Sequence, residues 1–218
     1  MGRNRKLLSL AATVILASLS KLAMAAEMPT ALDQYTRQPE HMTAVMSHVH
    51  PYYDAIPSCK PGTAKRINLI PLGPITFNTD GSLLAGRWKE VIKIDGCVTS
   101  GLFNVMTATD SAGIVHVVGM LPGTSIGALA LQRDAFGYAS ITARSLAAKQ
   151  GELASCQQLI VLDTTFSGFG EAINKDVPAG RDPRSWRERW TIKVCGTEVP
   201  VNVNFVPDAT GTSISTGP

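Results

Sequence analysis

The sequence is short of the patterns that announce chemistry. Beyond residue 25 it holds no Gly-rich phosphate loop, dinucleotide fingerprint, zinc spacing or paired-acid motif. Nothing in it asks for nucleotide, NAD or zinc, and no cofactor or metal is expected. Cysteine is limited to four residues with no C-x-x-C, which argues against a redox pair. Charged residues are sparse at 17%, yet the apolar share of 44% describes a folded chain and not a disordered one.

Excess charge of one sign is also missing once the first residues are set apart. Residues 1–25 read as an export signal: Arg3, Arg5 and Lys6, the apolar run LLSLAATVILASL, then Ala23-Met24-Ala25, with cleavage before Ala26. A membrane anchor needs about 20 apolar residues, and Ser18, Ser20 and Lys21 interrupt the run first. The leader carries four of the 20 bases and none of the 17 acids. The remaining 16 bases against those acids give no electrostatic footprint for nucleic acid or anionic lipid. A periplasmic or secreted chain without a membrane span is expected.

What is present is a repetition. Residue i laid over i+98 matches Trp88 with Trp186, Glu90 with Glu188, Ile94 with Ile192 and Cys97 with Cys195. The match continues through Thr99, Asn104, Val105, Asp110 and Gly113. Unrelated sequences would share roughly one or two of those positions. An amphipathic helix is expected ahead of each copy. The first opens at Pro39, buries Met42, Val45, Met46 and Val49, and stops at Pro51. The second is capped by Thr124, carries Leu129, Phe136, Ala143 and Leu146 on one face, and closes at Gly151.

Period-2 alternation then places Trp88, Glu90, Ile92 and Ile94 on one strand face, and Trp186, Glu188, Trp190 and Ile192 on the equivalent one. Residues 67–77 and 157–166 read as the first strand of each unit, and residues 167–185 as a loop rich in turn formers. The expected fold class is α+β: a tandem duplication of a helix-then-antiparallel-strands unit, pseudo-twofold and disulfide-bonded. Residues 26–121 and 122–218 form the two units, either separate or merged into one domain. Export favours paired cysteines. A single-unit ancestor with its own bond favours Cys59 with Cys97 and Cys156 with Cys195, among three connectivities.

Three constellations are candidates for function. Gly123-Thr124-Ser125-Ile126-Gly127 matches G-x-S-x-G between a strand and a helix, the setting of a hydrolase elbow. All four histidines precede Ser125, so a base such as His116 would arrive from an earlier strand; a helix cap with two glycines is the plainer account. His41, Met42, Met46, His48 and His50 offer imidazole and thioether ligands suited to copper, or core methionines beside solvated histidines.

Glu90 and Glu188 share the tryptophan face, where a buried carboxylate needs a partner. An arginine ion pair or an outward-turning bulge would supply one. With Trp88 and Trp186 they are the binding candidates. No catalytic set is complete. The expectation is a non-enzymatic exported binding or scaffold module for an envelope or secreted partner. The alternatives are a small serine hydrolase using Ser125 and His116, or a metal-handling protein using the cluster from His41 to His50.

Overall fold

A computed structural model describes residues 29–56, 63–96, 101–151, 157–173, 176–179 and 182–218. The expected leader, residues 1–25, and its expected cleavage point lie outside these. Two helices open the described chain, α1 (Pro29–Thr36) and α2 (Pro39–Asp54). β1 (Ala64–Pro71), β4 (Arg87–Ile94), β5 (Leu102–Thr109) and β6 (Val115–Gly119) then form an antiparallel meander in that order. A small ribbon of β2 (Thr76–Phe77) and β3 (Leu83–Ala85) interrupts it. After α3 (Leu129–Lys149) come β7 (Leu159–Ile173), β8 (Arg184–Val194), β9 (Thr197–Pro207) and β10 (Thr212–Gly217), a second four-stranded meander.

The fold-class expectation is corrected on two points. Strands outweigh helices and form three antiparallel sheets, and neither α1 nor the β2–β3 ribbon has a counterpart after residue 122. No disulfide pair is defined among the described residues, because Cys59, Cys97 and Cys156 lie outside them. Cys195, the one cysteine described, is not a free thiol, and no cross-link enters the account of the fold. What recurs is the strand register. Trp88 faces Thr107, Glu90 faces Val105 and Ile92 faces Phe103; Trp186 faces Phe205, Glu188 faces Val203 and Trp190 faces Val201, each displaced by 98 residues. Among the described residues no helix is long and apolar enough to cross a membrane.

Each large sheet buries one face under a helix. Pro39 stands at the first position of α2, where its missing N–H costs nothing. The buried stripe is His41, Val45, Val49 and Tyr53, which excludes the expected Met42 and leaves Met46 packed at the margin. The stripe meets Ile92, Ile94, Phe103 and Val105. Pro51 does not stop the helix. The last turn is fixed from outside, by the buried Tyr53 ring and by the Tyr52 hydroxyl donating to the Val161 carbonyl. Burial pushes the Tyr53 hydroxyl up to about 12.

On α3 the stripe is Gln132, Ala135, Ala139, Ala143 and Ala147, and Phe136 lies exposed instead of buried. The small alanines let α3 lie close over large partners, Trp190 and Phe205 among them. Thr124 does not cap α3: Ala128 holds that position without a side-chain bond, while Thr124 Oγ1 accepts from Phe166 N. Gly151 follows the helix at φ +95°, a left-handed closing position. The expected loop at 167–185 is strand at both ends, since β7 runs to Ile173 and β8 starts at Arg184.

Residues 120–125 join the two sheets as an extended crossing segment. On one side Met120 N and Gly123 N donate to the Asn104 and Leu102 carbonyls of β5, and Asn104 Nδ2 donates back to Leu121 O and Gly123 O. On the other side Thr124 N donates to Thr164 O, and Ser125 N to Thr164 Oγ1, on β7. Gly123 has φ +93°, and a Cβ there would stand 2.1 Å from Thr164 O. Neither the dihedral nor the space admits a side chain.

Two stability measurements check this account. Gly123→Ala should lower unfolding free energy by at least about 2 kcal/mol, whereas Gly137→Ala, in the open interior of α3, should raise it by up to about 1 kcal/mol; equal effects in denaturant titrations would refute the close approach. At the β9–β10 turn Asp208 accepts from Thr210 N, Thr210 Oγ1, Gly211 N and Ser213 Oγ. Those hydrogen bonds, led by the Thr210 hydroxyl, hold its carboxyl at about 2, below the ordinary 3.8. A lowered folded value stabilises fully above the unfolded value and is lost as pH falls through the folded one. The gap in Tm between wild type and Asp208→Ala should therefore stay constant above pH 3.8 and close towards pH 2.

Candidate functional site

Strand parity carries both glutamates inward, as the alternation requires: Glu90 is fully buried and Glu188 is 1% exposed. The bulges lie in the neighbouring strands, between Arg66 and Asn68 in β1 and at three places in β7, so neither glutamate is turned outward. In each copy the tryptophan two residues earlier stands on the same face, and its indole N–H reaches the carboxylate. Trp88 Nε1 donates to Glu90 Oε1 at 3.0 Å, and Trp186 Nε1 to Glu188 Oε1 at 3.1 Å.

The remaining partners differ between the copies. His41 Nε2, from the first turn of α2, shares a hydrogen bond with Glu90 Oε1 at 2.6 Å. Arg66 NH1 lies 3.6 Å from Oε2 and is the arginine counter-charge, itself anchored to Asp33 of α1 at 2.5 Å. The Tyr35 ring packs against His41 and edge-on to Trp88, with centroids 5.3 and 5.8 Å away. Burial, and then the Glu90 charge, raise its hydroxyl above the ordinary tyrosine range.

Among the described residues no arginine serves Glu188. Ser125 Oγ and Ile126 N donate to Oε1 at 3.0 and 3.1 Å, and Trp190 Nε1 to Oε2 at 2.9 Å. With Trp186 that makes four donors, the surroundings a carboxylate anion requires.

This geometry reassigns the other candidates. Ser125 is fully buried, and its hydroxyl oxygen also accepts from Gly127 N and Gln132 Nε2. His116 instead pairs with Asp110 at 2.8 Å in the exposed β5–β6 turn, so serine and histidine are not brought together. His41 turns inward to Glu90 while His50 is exposed, and among the described residues no three histidine, cysteine, aspartate or glutamate side chains converge as a metal set. Sequence reasoning missed that His41 and Ser125 are the partners of the two glutamates. The available signal was the requirement that a buried carboxylate be matched by donors from elsewhere in the chain.

No family model, curated protein or solved structure matches this chain. Among its concave surfaces is a cleft of two lobes along residues 120–129, with Met120 and Leu129 lining both, and a separate, polar hollow of about 570 Å³ lies between Asp134 and Tyr138 of α3 and Thr212 to Ile214 of β10. One lobe, about 380 Å³, is walled by Tyr52, Phe103, Leu121 and Phe136 beside Arg133. The other, about 420 Å³, is walled by Ile70, Leu72, Met106 and Ile126 beside Arg87 and Lys89. No aspartate or glutamate lines either lobe. Both fall within the roughly 300–1,000 Å³ that small-ligand pockets occupy.

A structural role for the inner carboxylates has a measurable signature. Glu188→Gln places an amide N–H₂ against donors and should cost about 3 kcal/mol. Trp186→Phe keeps the 4.7 Å stack on Phe205 and loses one N–H, so it should cost about 1 kcal/mol. Chemical denaturation showing Glu188→Gln as stable as wild type would contradict the assignment.

Proposed function

We propose that this protein is an exported, non-enzymatic binding module of the periplasm or secreted space, which holds an apolar group of an envelope or secreted partner in the cleft along residues 120–129. The observation that carries the reading is a division of labour. The polar groups gathered on the tryptophan faces, Glu90, Glu188, His41 and Ser125, are 5% exposed or less and committed to one another or to backbone, and the exposed His116 is paired with Asp110 away from Ser125. The two lobes along residues 120–129 are mostly apolar, with a few polar groups at their edge, as binding pockets are. Ile126, 48% exposed, and Phe136, 38% exposed, leave apolar surface available there. The leader-like residues 1–25 supply the location.

Two experiments test it together. In cells the exported fraction should yield a chain beginning at Ala26; recovery of the uncleaved chain in the cytoplasm would count against export. A photo-reactive residue at Phe136, in the cleft, should form a discrete adduct, while the same residue at Ile141, on α3 and 71% exposed, should not. Equal labelling at both positions, or none at Phe136, would remove the cleft from the account.

A further inference from the structure

The charges around the cleft define its ligand more narrowly than its apolar walls do. Arg87, Lys89 and Arg133 line the two lobes and no acid does, although acids slightly outnumber bases beyond the leader. We propose that the cleft binds a single-chain anionic amphiphile, its apolar chain against Met106, Met120 and Leu129 and its anionic head at Lys89 and Arg87. This rests on the reading of the cleft as the binding site and adds the chemistry of what it holds.

Lys89 carries most of the argument. It lies on β4 between Ile70 of β1 and Met106 of β5, both of which line the same lobe, so its cross-strand neighbours there are apolar. An ammonium has three donors, and one is used, on Ser125 O at 3.4 Å. Burial pulls its pKa below the ordinary lysine value, opposed by the negative charge of Glu188 behind it. Glu188 does not satisfy the ammonium, because its oxygens are taken by Ser125, Ile126, Trp186 and Trp190. A half-buried cation with spare donors at an apolar wall is completed by an anion arriving from solvent.

Arg87, two residues earlier on the same strand face and about 7 Å away, is exposed at the rim and gives one N–H to Leu72 O at 3.2 Å. The rest of its fork is directed to no described residue. Arg133, on the first turns of α3, has no hydrogen bond or ion pair with a described residue and stands by the lobe walled by Tyr52 and Phe136. An uncharged ligand would leave these cations unused, a cationic one would be repelled, and a polyanion would find apolar walls where it needs donors.

The test uses the mature chain and three probes: decanoate below its micelle concentration, 1-decanol as the same chain without the charge, and phosphatidylglycerol vesicles. Calorimetry should show one equivalent of decanoate bound at least tenfold more tightly than 1-decanol. Lys89→Met, which keeps the apolar stem, should weaken decanoate about tenfold and leave 1-decanol unchanged. Arg87→Gln, at an exposed position, should weaken it severalfold and serves as the second variant should Lys89→Met fail to fold. Equal binding of decanoate and 1-decanol would overturn the anionic ligand while keeping the cleft; so would wild-type affinity in both variants. Binding of neither probe, with no capture by vesicles, would overturn the cleft as well. Capture by the vesicles without decanoate binding would replace the free amphiphile with a membrane surface and overturn the proposal.

Discussion

An indole N–H donating to a carboxylate two residues further along the same buried strand face is the interaction on which the rest is built. A strand repeats every two residues, so tryptophan and glutamate at i and i+2 meet without help from any other element. Taking a carboxylate out of water costs several kcal/mol, and one indole cannot offset that. Each glutamate therefore requires donors from elsewhere in the chain, and residues at or just ahead of the start of each helix provide them. His41 does so in the first turn of α2, and Ser125 and Ile126 do so just before α3. The buried charge fixes where each helix begins relative to its sheet, a positional role that apolar contacts, being non-directional, do not supply.

The same requirement explains the crossing segment. Ser125 reaches Glu188 only if residues 120–125 lie flat between β5 and β7, and that path brings Gly123 onto the backbone of Thr164. Asn104 holds the segment on one side and Thr164 on the other. Apolar contacts cross the junction as well, since Leu162 of β7 belongs to the core beneath α2 and Tyr52 of α2 is bonded to β7. The two meanders are thus joined through hydrogen-bonded chain and shared core together.

Local patterns were legible and long-range partners were not. The alternation from Trp88 to Ile94 and from Trp186 to Ile192 follows from period two alone, and the strands bury those residues, with Trp186 only partly covered. Pro39 and Gly151 report their own dihedrals and were readable for that reason. Pro51 was misread because the α2 C-terminus is held by Tyr52 and Tyr53, contacts that no local propensity encodes. On α3 the longer apolar residues attracted attention, while close approach to Trp190 and Phe205 selects the alanines. Ser125 was singled out for its G-x-S-x-G setting and the histidine cluster for its ligand types. Chemistry was assigned to them because their partners, 63 and 49 residues away, are invisible in a local window.

The cleft follows from an asymmetry that the sequence also records. On the outer faces of the two sheets, equivalent positions carry different residues: Val91 and Met106 in the first stand where Arg189 and Asn204 stand in the second. Residues 120–129 lie over the first face, where apolar side chains line a lobe, while Arg187 and Arg189 of the second are exposed. Lys89 is the exception, a base kept beneath that segment where Arg187 on the other sheet is exposed. A half-buried cation between apolar neighbours is costly in the free protein, because burial disfavours its charged form, and a bound anion would offset that cost at this position.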